Sequence, residues 1–161
     1  MDFRKKIIPW EQLSEWRAAF RATGKKLVAT NGCFDLLHLG HVTYLENARN
    51  HGDALLVGVN SDASVGQLKG PGRPVNSESD RAAVLAALES VGAVCIFSDR
   101  TAARFLAAAQ PDIYIKGGDY TLETVIQEER QAVEQTGGKM FIVPFVPGKS
   151  TTSLLKKISR L

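Results

Sequence analysis

Five short apolar runs, most of them followed by a stretch long enough for a helix, constrain the fold of this chain more than any other feature of its 161 residues. They are "KKLVATNG" (25–32), "ALLVGVN" (54–60), "AVCIFS" (93–98), "DIYIKG" (112–117) and "MFIVPF" (140–145). Runs that stay apolar without alternating read as strands buried on both faces, the condition of a parallel sheet covered by helices. Strands joined through helices imply right-handed crossovers.

The intervening segments supply the helices. Leu13, Trp16 and Phe20 share one face of an opening helix that stops at Gly24. Tyr44, Leu45 and Ala48 mark a second, which ends near Gly52, and Val84, Leu85 and Leu88 mark a third. That third helix opens with "SESD", where Ser77 and Asp80 have capping-box spacing. "TAARFLAAA" follows Asp99 as its expected N-cap, and a longer helix carries Leu122, Val125, Ile126 and Val133 up to Gly137 and Gly138. The last carries Leu154, Leu155 and Ile158. Residues 61–80 lack clear periodicity and read as one long loop. The fold class expected is α/β, a doubly wound five-stranded parallel sheet with helices on both faces. It forms a single domain over 25–161, with a helical segment, 1–24, packed on it.

Composition narrows the setting. A formal charge of +3 with scattered basic residues argues against a nucleic-acid binder but suits an anionic small molecule. Two cysteines, Cys33 and Cys95, are too few for a disulfide framework and point to a reducing compartment. No apolar stretch approaches the ~20 residues needed to span a bilayer, and the basic start "MDFRKKIIPW" lacks a signal-type apolar region. The expected setting is cytoplasmic, with neither nucleic acid nor membrane as partner.

In an open α/β sheet, ligands bind beyond the carboxyl ends of the strands. Those ends read "NGCFDLLHLGH", "NSD" with "LKGPGRP", "SDRT", "KGGDY" and "VPGKSTTS". Glycines let a backbone approach a ligand closely, and a helix that opens with hydroxyl side chains favours phosphate. Lys69, Arg73, Lys116 and Lys149 would join Ser150, Thr151 and Thr152 near one rim. Their common property is affinity for polyphosphate. Zinc held by Cys33, His38 and His41 is the weaker alternative, because no spaced second pair of ligands accompanies them.

His38-Leu39-Gly40-His41 and Gly148-Lys149-Ser150-Thr151-Thr152 resemble the two motifs of the cytidylyltransferase-like nucleotidyltransferase superfamily, which has a Rossmann-like fold. Within it, "TNGCFDLLHLGHVTYLENAR", "GVNSDASV", "LKGPGRPVNSESDR", "YIKGGDY" and "KSTTSLLKKI" are similar to the heptose 1-phosphate adenylyltransferases of bacterial ADP-heptose synthesis. One departure is Arg100-Thr101, where threonine-proline is expected, and it is read as altering only a helix start.

The resemblance implies transfer of AMP from ATP to a sugar 1-phosphate, with release of pyrophosphate. His38, His41, Lys69 and Arg81 would be catalytic, the last supporting the pyrophosphate. Thr30, Asn31, Gly32, Cys33, Phe34, Asp35, Gly40, Lys116, Gly118, Asp119, Ser150, Thr151 and Thr152 would bind the nucleotide. Asp62, Lys116 and Arg73 would face the sugar phosphate. Mg²⁺ would arrive on the nucleotide phosphates, with no protein metal ligand. The resemblance is also compatible with a homodimer, and it places any kinase partner on a separate chain. Two rivals stay open: a cytidylyltransferase acting on glycerol 3-phosphate or a related phosphate, and a nucleotide-binding sensor without chemistry.

Overall fold

The computed structural model describes residues 2–118, 120–144 and 147–161. Five parallel strands form one sheet: β1 (Leu27–Gly32), β2 (Ala54–Asn60), β3 (Ala93–Phe97), β4 (Ile113–Gly117) and β5 (Lys139–Val143). Their order across the sheet is β3-β2-β1-β4-β5, so the chain winds outward from β1 in one direction and then from β4 in the other. The switch point lies between β1 and β4. A crevice is expected there, because successive connections leave on opposite sides.

Alternation along each strand divides the core in two. Val28, Leu55, Val57, Val59, Val94 and Ile115 pack on one face against α2 (Leu39–Arg49) and α4 (Glu78–Ala86). Leu27, Ala29, Leu56, Ala93, Cys95, Phe97 and Tyr114 pack on the other against α1 (Leu13–Ala22), α5 (Ala103–Ala109) and α6 (Gln127–Glu134). Because side chains alternate with period two, a sheet covered on both faces needs apolar residues at both parities, which explains the unbroken runs. The opening segment shares this core. Leu13 is fully buried, Ile8 N–H donates to the Val94 carbonyl, and Lys6 Nζ donates to the Leu88 and Val91 carbonyls.

Three local expectations are corrected. The stretch 61–80 is not wholly loop, because α3 (Asp62–Lys69) begins on Ser61, whose side chain accepts from Ser64 N–H. It escapes periodicity because only Ser64 and Val65 of its residues are buried. The helix expected to carry Leu122 and Ile126 starts later, at Gln127, and both of those side chains are exposed. Thr124 Oγ1 accepts from Thr121 N–H and holds the preceding residues in a turn. Asp99 does not cap α5. The N-cap position is Ala102, whose N–H is taken by the Glu129 carboxylate from α6 at 3.0 Å. The last helix, α7 (Thr151–Ile158), starts where expected, on a Ser150 side chain that accepts from Ser153 N–H.

Candidate active site

Beyond the carboxyl ends of the strands lies a cavity of about 480 Å³, lined from β1, α2, β2, α3, β4, α6 and the start of α7. His38 and His41 stand on its wall at the first turn of α2, their rings stacked with centroids 3.9 Å apart and 20° between planes. An i, i+3 pair on one helix face meets in this way. His38 is also the N-cap of α2 and makes no side-chain cap bond, so the first N–H groups of that helix remain available. A Cβ at Gly40 would lie 3.0 Å from both His38 Nδ1 and Lys149 Cβ. Glycine therefore lets the start of α2 press against the segment leading into α7, and the Thr151 hydroxyl fastens the two by donating to the Leu36 carbonyl at 3.3 Å.

The turn after β1 is shaped by Phe34, which adopts a left-handed φ of 47°. Its ring folds back so far that a Cβ at Gly32 would lie 2.9 Å from it. The same ring meets His41 edge-on, with centroids 5.3 Å apart. Asp35, buried beside it, accepts from the Val75 and Asn76 N–H groups and from Arg73 Nε at 2.7 Å, so it anchors the 70–76 loop over the cavity. On the opposite wall Lys116 Nζ donates to Glu129 at 2.6 Å, and the Tyr114 hydroxyl lies between Glu129 and the Asn31 side chain.

The sequence-derived residues therefore fall into groups. Asn31, Gly32, Cys33, Phe34, Asp35, His38, Gly40, His41, Lys69, Arg73, Lys116, Ser150, Thr151 and Thr152 line the one cavity. Arg81 does not, which corrects its assignment to pyrophosphate. Its side chain is fully buried and donates to the Cys33, Asn60 and Asn76 carbonyls and to Asp62 Oδ1. A buried guanidinium must have its donors satisfied, and these acceptors leave little to offer a ligand. Asp62, engaged by Arg81, also lies off the cavity lining, so the structure does not support its sugar-phosphate assignment. Thr30 is fully buried with its hydroxyl 2.6 Å from Tyr44 Oη, and Gly118 donates its N–H to the Val143 carbonyl, so neither reaches the lining. Asp119 lies outside the described residues.

Sequence reasoning passed over Arg100, Glu129, Asn60 and Tyr44, all of which line the cavity. Glu129 had a readable signal, an acidic residue on the inward side of an amphipathic helix, where Val133 is also buried. Arg100 had none, because it belongs to an irregular connection.

Residues 29–156 match the family model described as cytidylyltransferase-like. The chain belongs to the cytidylyltransferase-like family of nucleotidyltransferases. The bifunctional protein HldE of Trichlorobacter lovleyi is 50% identical to it over 157 residues, 98% of this chain and 32% of that protein. HldE of Methylobacillus flagellatus is 51% identical over 140 residues, 87% of this chain and 28% of that protein. The chain thus spans about a third of the length of the curated relatives it matches. Among solved structures, a lipopolysaccharide core biosynthesis protein from Thermoplasma volcanium GSS1 superimposes with a TM-score of 0.63 at 27% identity, over 76% of this chain and 98% of that one. A pantoate-beta-alanine ligase from Francisella tularensis shares the fold, with a TM-score of 0.58 at 12% identity over 96% of this chain and 78% of that one.

In this family member the cavity is cationic and the histidines are neutral at pH 7. Lys69, Arg100 and Lys149 line it with no ion-pair partner among the described residues, whereas Asp35 and Glu129 are paired with Arg73 and Lys116. Burial, reinforced by the neighbouring His38, pushes His41 down to about 4, with the Leu36 backbone pulling the smaller opposite way. Burial and then Lys149 push His38 down as well. The Nδ1 atoms of both rings are buried without a hydrogen-bond partner among the described residues. Burial also raises the Cys33 thiol despite Lys69, Arg81 and Arg73, so Cys33 is present as a thiol and not as a nucleophilic thiolate.

The depressed histidines have a stability consequence with a definite sign. Their folded values lie below the unfolded value near 6.5, so the unfolded chain binds more protons between the two. The stability they contribute is present above pH 6.5 and is lost as pH falls toward 4, by no more than about 3 kcal/mol for His41. Asp35 adds a lower window. Burial alone would raise it, but the Asn76 and Val75 N–H groups and Arg73 outweigh burial and hold it below the usual carboxylate range, so its share goes only below pH 4. Urea midpoints between pH 7 and 4.5 should fall for the native chain and fall less for His41→Asn. Parallel curves would remove His41 from this account.

Proposed function

We propose that the chain transfers AMP from ATP to a sugar 1-phosphate, heptose 1-phosphate, yielding ADP-heptose and pyrophosphate for lipopolysaccharide precursor synthesis. The observation that carries this reading is the stacked His38–His41 pair on a helix start, set beside the α7 start on the wall of a cavity whose free charges are cationic. The similarity to HldE proteins over nearly the whole chain, and to a lipopolysaccharide core biosynthesis protein, supports the sugar branch of the family.

The reaction needs no general base. A phosphomonoester, with its second pKa near 6, is largely dianionic at pH 7, and one of its oxygens attacks the α-phosphorus in line. The new P–O bond forms as the bond from the α-phosphorus to the bridging oxygen breaks, and the electron pair leaves on pyrophosphate. Catalysis then consists of orientation and stabilisation of charge on the transferred group and on pyrophosphate. Neutral imidazoles suit this work, since each carries one N–H donor and no charge to be desolvated before the nucleotide arrives. Lys69, on the last turn of α3 beside the 70–76 loop, and Lys149 would bear on the triphosphate, with the Ser150–Thr152 backbone at the α7 start.

Mg²⁺ would accompany the nucleotide. No group of three or more His, Cys, Asp or Glu among the described residues is arranged to hold a metal, and both acidic residues of the cavity are already paired. The ion would therefore be held by phosphate oxygens and water, and it would supply charge neutralisation on the triphosphate. A sugar kinase is the partner this reading requires, and the relatives' greater length leaves room for one within them. No helix among the described residues is long and apolar enough to cross a membrane.

Pyrophosphate release with Mg²⁺ tests the proposal, with ATP or CTP offered against heptose 1-phosphate, hexose 1-phosphates and glycerol 3-phosphate. Release with ATP and heptose 1-phosphate is expected. Release with CTP and glycerol 3-phosphate alone would overturn the substrate assignment, and nucleotide binding without release would make the protein a sensor.

A further inference from the structure

The cavity must take two anions, a triphosphate and a phosphomonoester, and two anions that meet in one cavity repel unless each has its own cations. The residues divide accordingly. His38, His41, Lys149 and the start of α7 gather on the wall formed by α2. The opposite wall holds Lys116 and Arg100, connected through one carboxylate: Glu129 Oε2 accepts from Lys116 Nζ at 2.6 Å, and Glu129 Oε1 accepts from Ala102 N–H at 3.0 Å. Arg100 sits two residues before Ala102, so Glu129 fastens the β3–α5 connection that carries it to the end of β4.

The charge count on that wall decides which residue matters. Lys116 and Glu129 cancel, and Tyr114 and Asn31 are neutral. The net positive charge comes from Arg100, which is exposed, lines the cavity and has no ion-pair partner among the described residues. We propose that Arg100 and Lys116 form the subsite for the acceptor's phosphate, with Arg100 supplying its net charge and Glu129 acting as the positioning residue that holds the two together. A guanidinium fits the role because its planar donors match two phosphate oxygens at once. This inference rests on the proposed transfer to a phosphomonoester.

The test measures KM for the sugar 1-phosphate and, separately, binding of inorganic phosphate to protein already saturated with a non-hydrolysable ATP analogue. Arg100→Ala should raise that KM and weaken phosphate binding by about 10- to 100-fold, while affinity for the ATP analogue changes by less than about 2-fold. Arg100→Lys should recover part of the loss. Glu129→Gln separates positioning from charge. It removes a negative charge, so KM for the acceptor should not rise, whereas kcat should fall by about 10-fold because an amide keeps a single acceptor oxygen and Lys116 and the Ala102 N–H are no longer both held. An unchanged acceptor KM in Arg100→Ala, or an equal loss of ATP-analogue binding, would overturn the subsite. Absence of transfer in the native chain, with phosphate binding that still depends on Arg100, would overturn the proposed reaction and leave the subsite standing.

Discussion

Arg81→Ala should cost about 3–5 kcal/mol of stability. The change removes the donor from carbonyls of three segments at once, the turn after β1 (Cys33), the end of β2 (Asn60) and the loop before α4 (Asn76), and it leaves Asp62 without its partner. At 2–4 °C per kcal/mol for a chain of this size, the melting midpoint should fall by roughly 10 °C or more. Arg81→Lys should fare little better, because one ammonium cannot span acceptors held on a planar fork. Circular dichroism melting checks this directly. A variant that melts with the native chain and loses only pyrophosphate release would restore Arg81 to the phosphate role first assigned to it.

His41→Ala should do the reverse and lower kcat by about 10² to 10³, roughly 3–4 kcal/mol of transition-state stabilisation, in a protein that still folds. Apart from the Leu36 backbone beside it, the imidazole's contacts are ring contacts with His38 and Phe34, and its Nδ1 has no partner among the described residues. Single-turnover pyrophosphate release, run beside a melting curve, separates the two possibilities. A loss below about 3-fold would take His41 out of the transition state. An unfolded variant would show instead that the stacked pair is structural.

These two residues mark the boundary of what the sequence made legible. His41 was readable because its chemistry is local. Two imidazoles three apart with a glycine between them, just after a strand, must share one face at the start of a helix, and the end of a parallel strand is where such sheets bind ligands. Arg81 was misread because its fate depends on what lies across from α4. Its sequence neighbours Ala82 and Leu85 show that this side of the helix is buried, yet burial alone cannot say whether a guanidinium meets a ligand's phosphate or the protein's own carbonyls.

The same division runs through the fold. The five strands followed from unbroken apolar runs and most helices from periodicity and capping, as in the Ser77 cap of α4 and the Ser150 cap of α7. Of the corrected elements, only the start of α5 is set from a distance, by Glu129 from α6; α3 has a local Ser61 cap hidden by weak periodicity, and the Thr121–Thr124 turn delays α6 locally. By itself, then, the sequence determined the parallel α/β architecture, the cavity edge and the histidine pair, because periodicity, glycine and helix-cap chemistry act over a few residues. Only the tertiary structure decided which charges remain free for a ligand. Lys69, Arg100 and Lys149 stay unpaired among the described residues, whereas Arg73, Arg81 and Lys116 are engaged, because pairing depends on approaches between segments tens of residues apart.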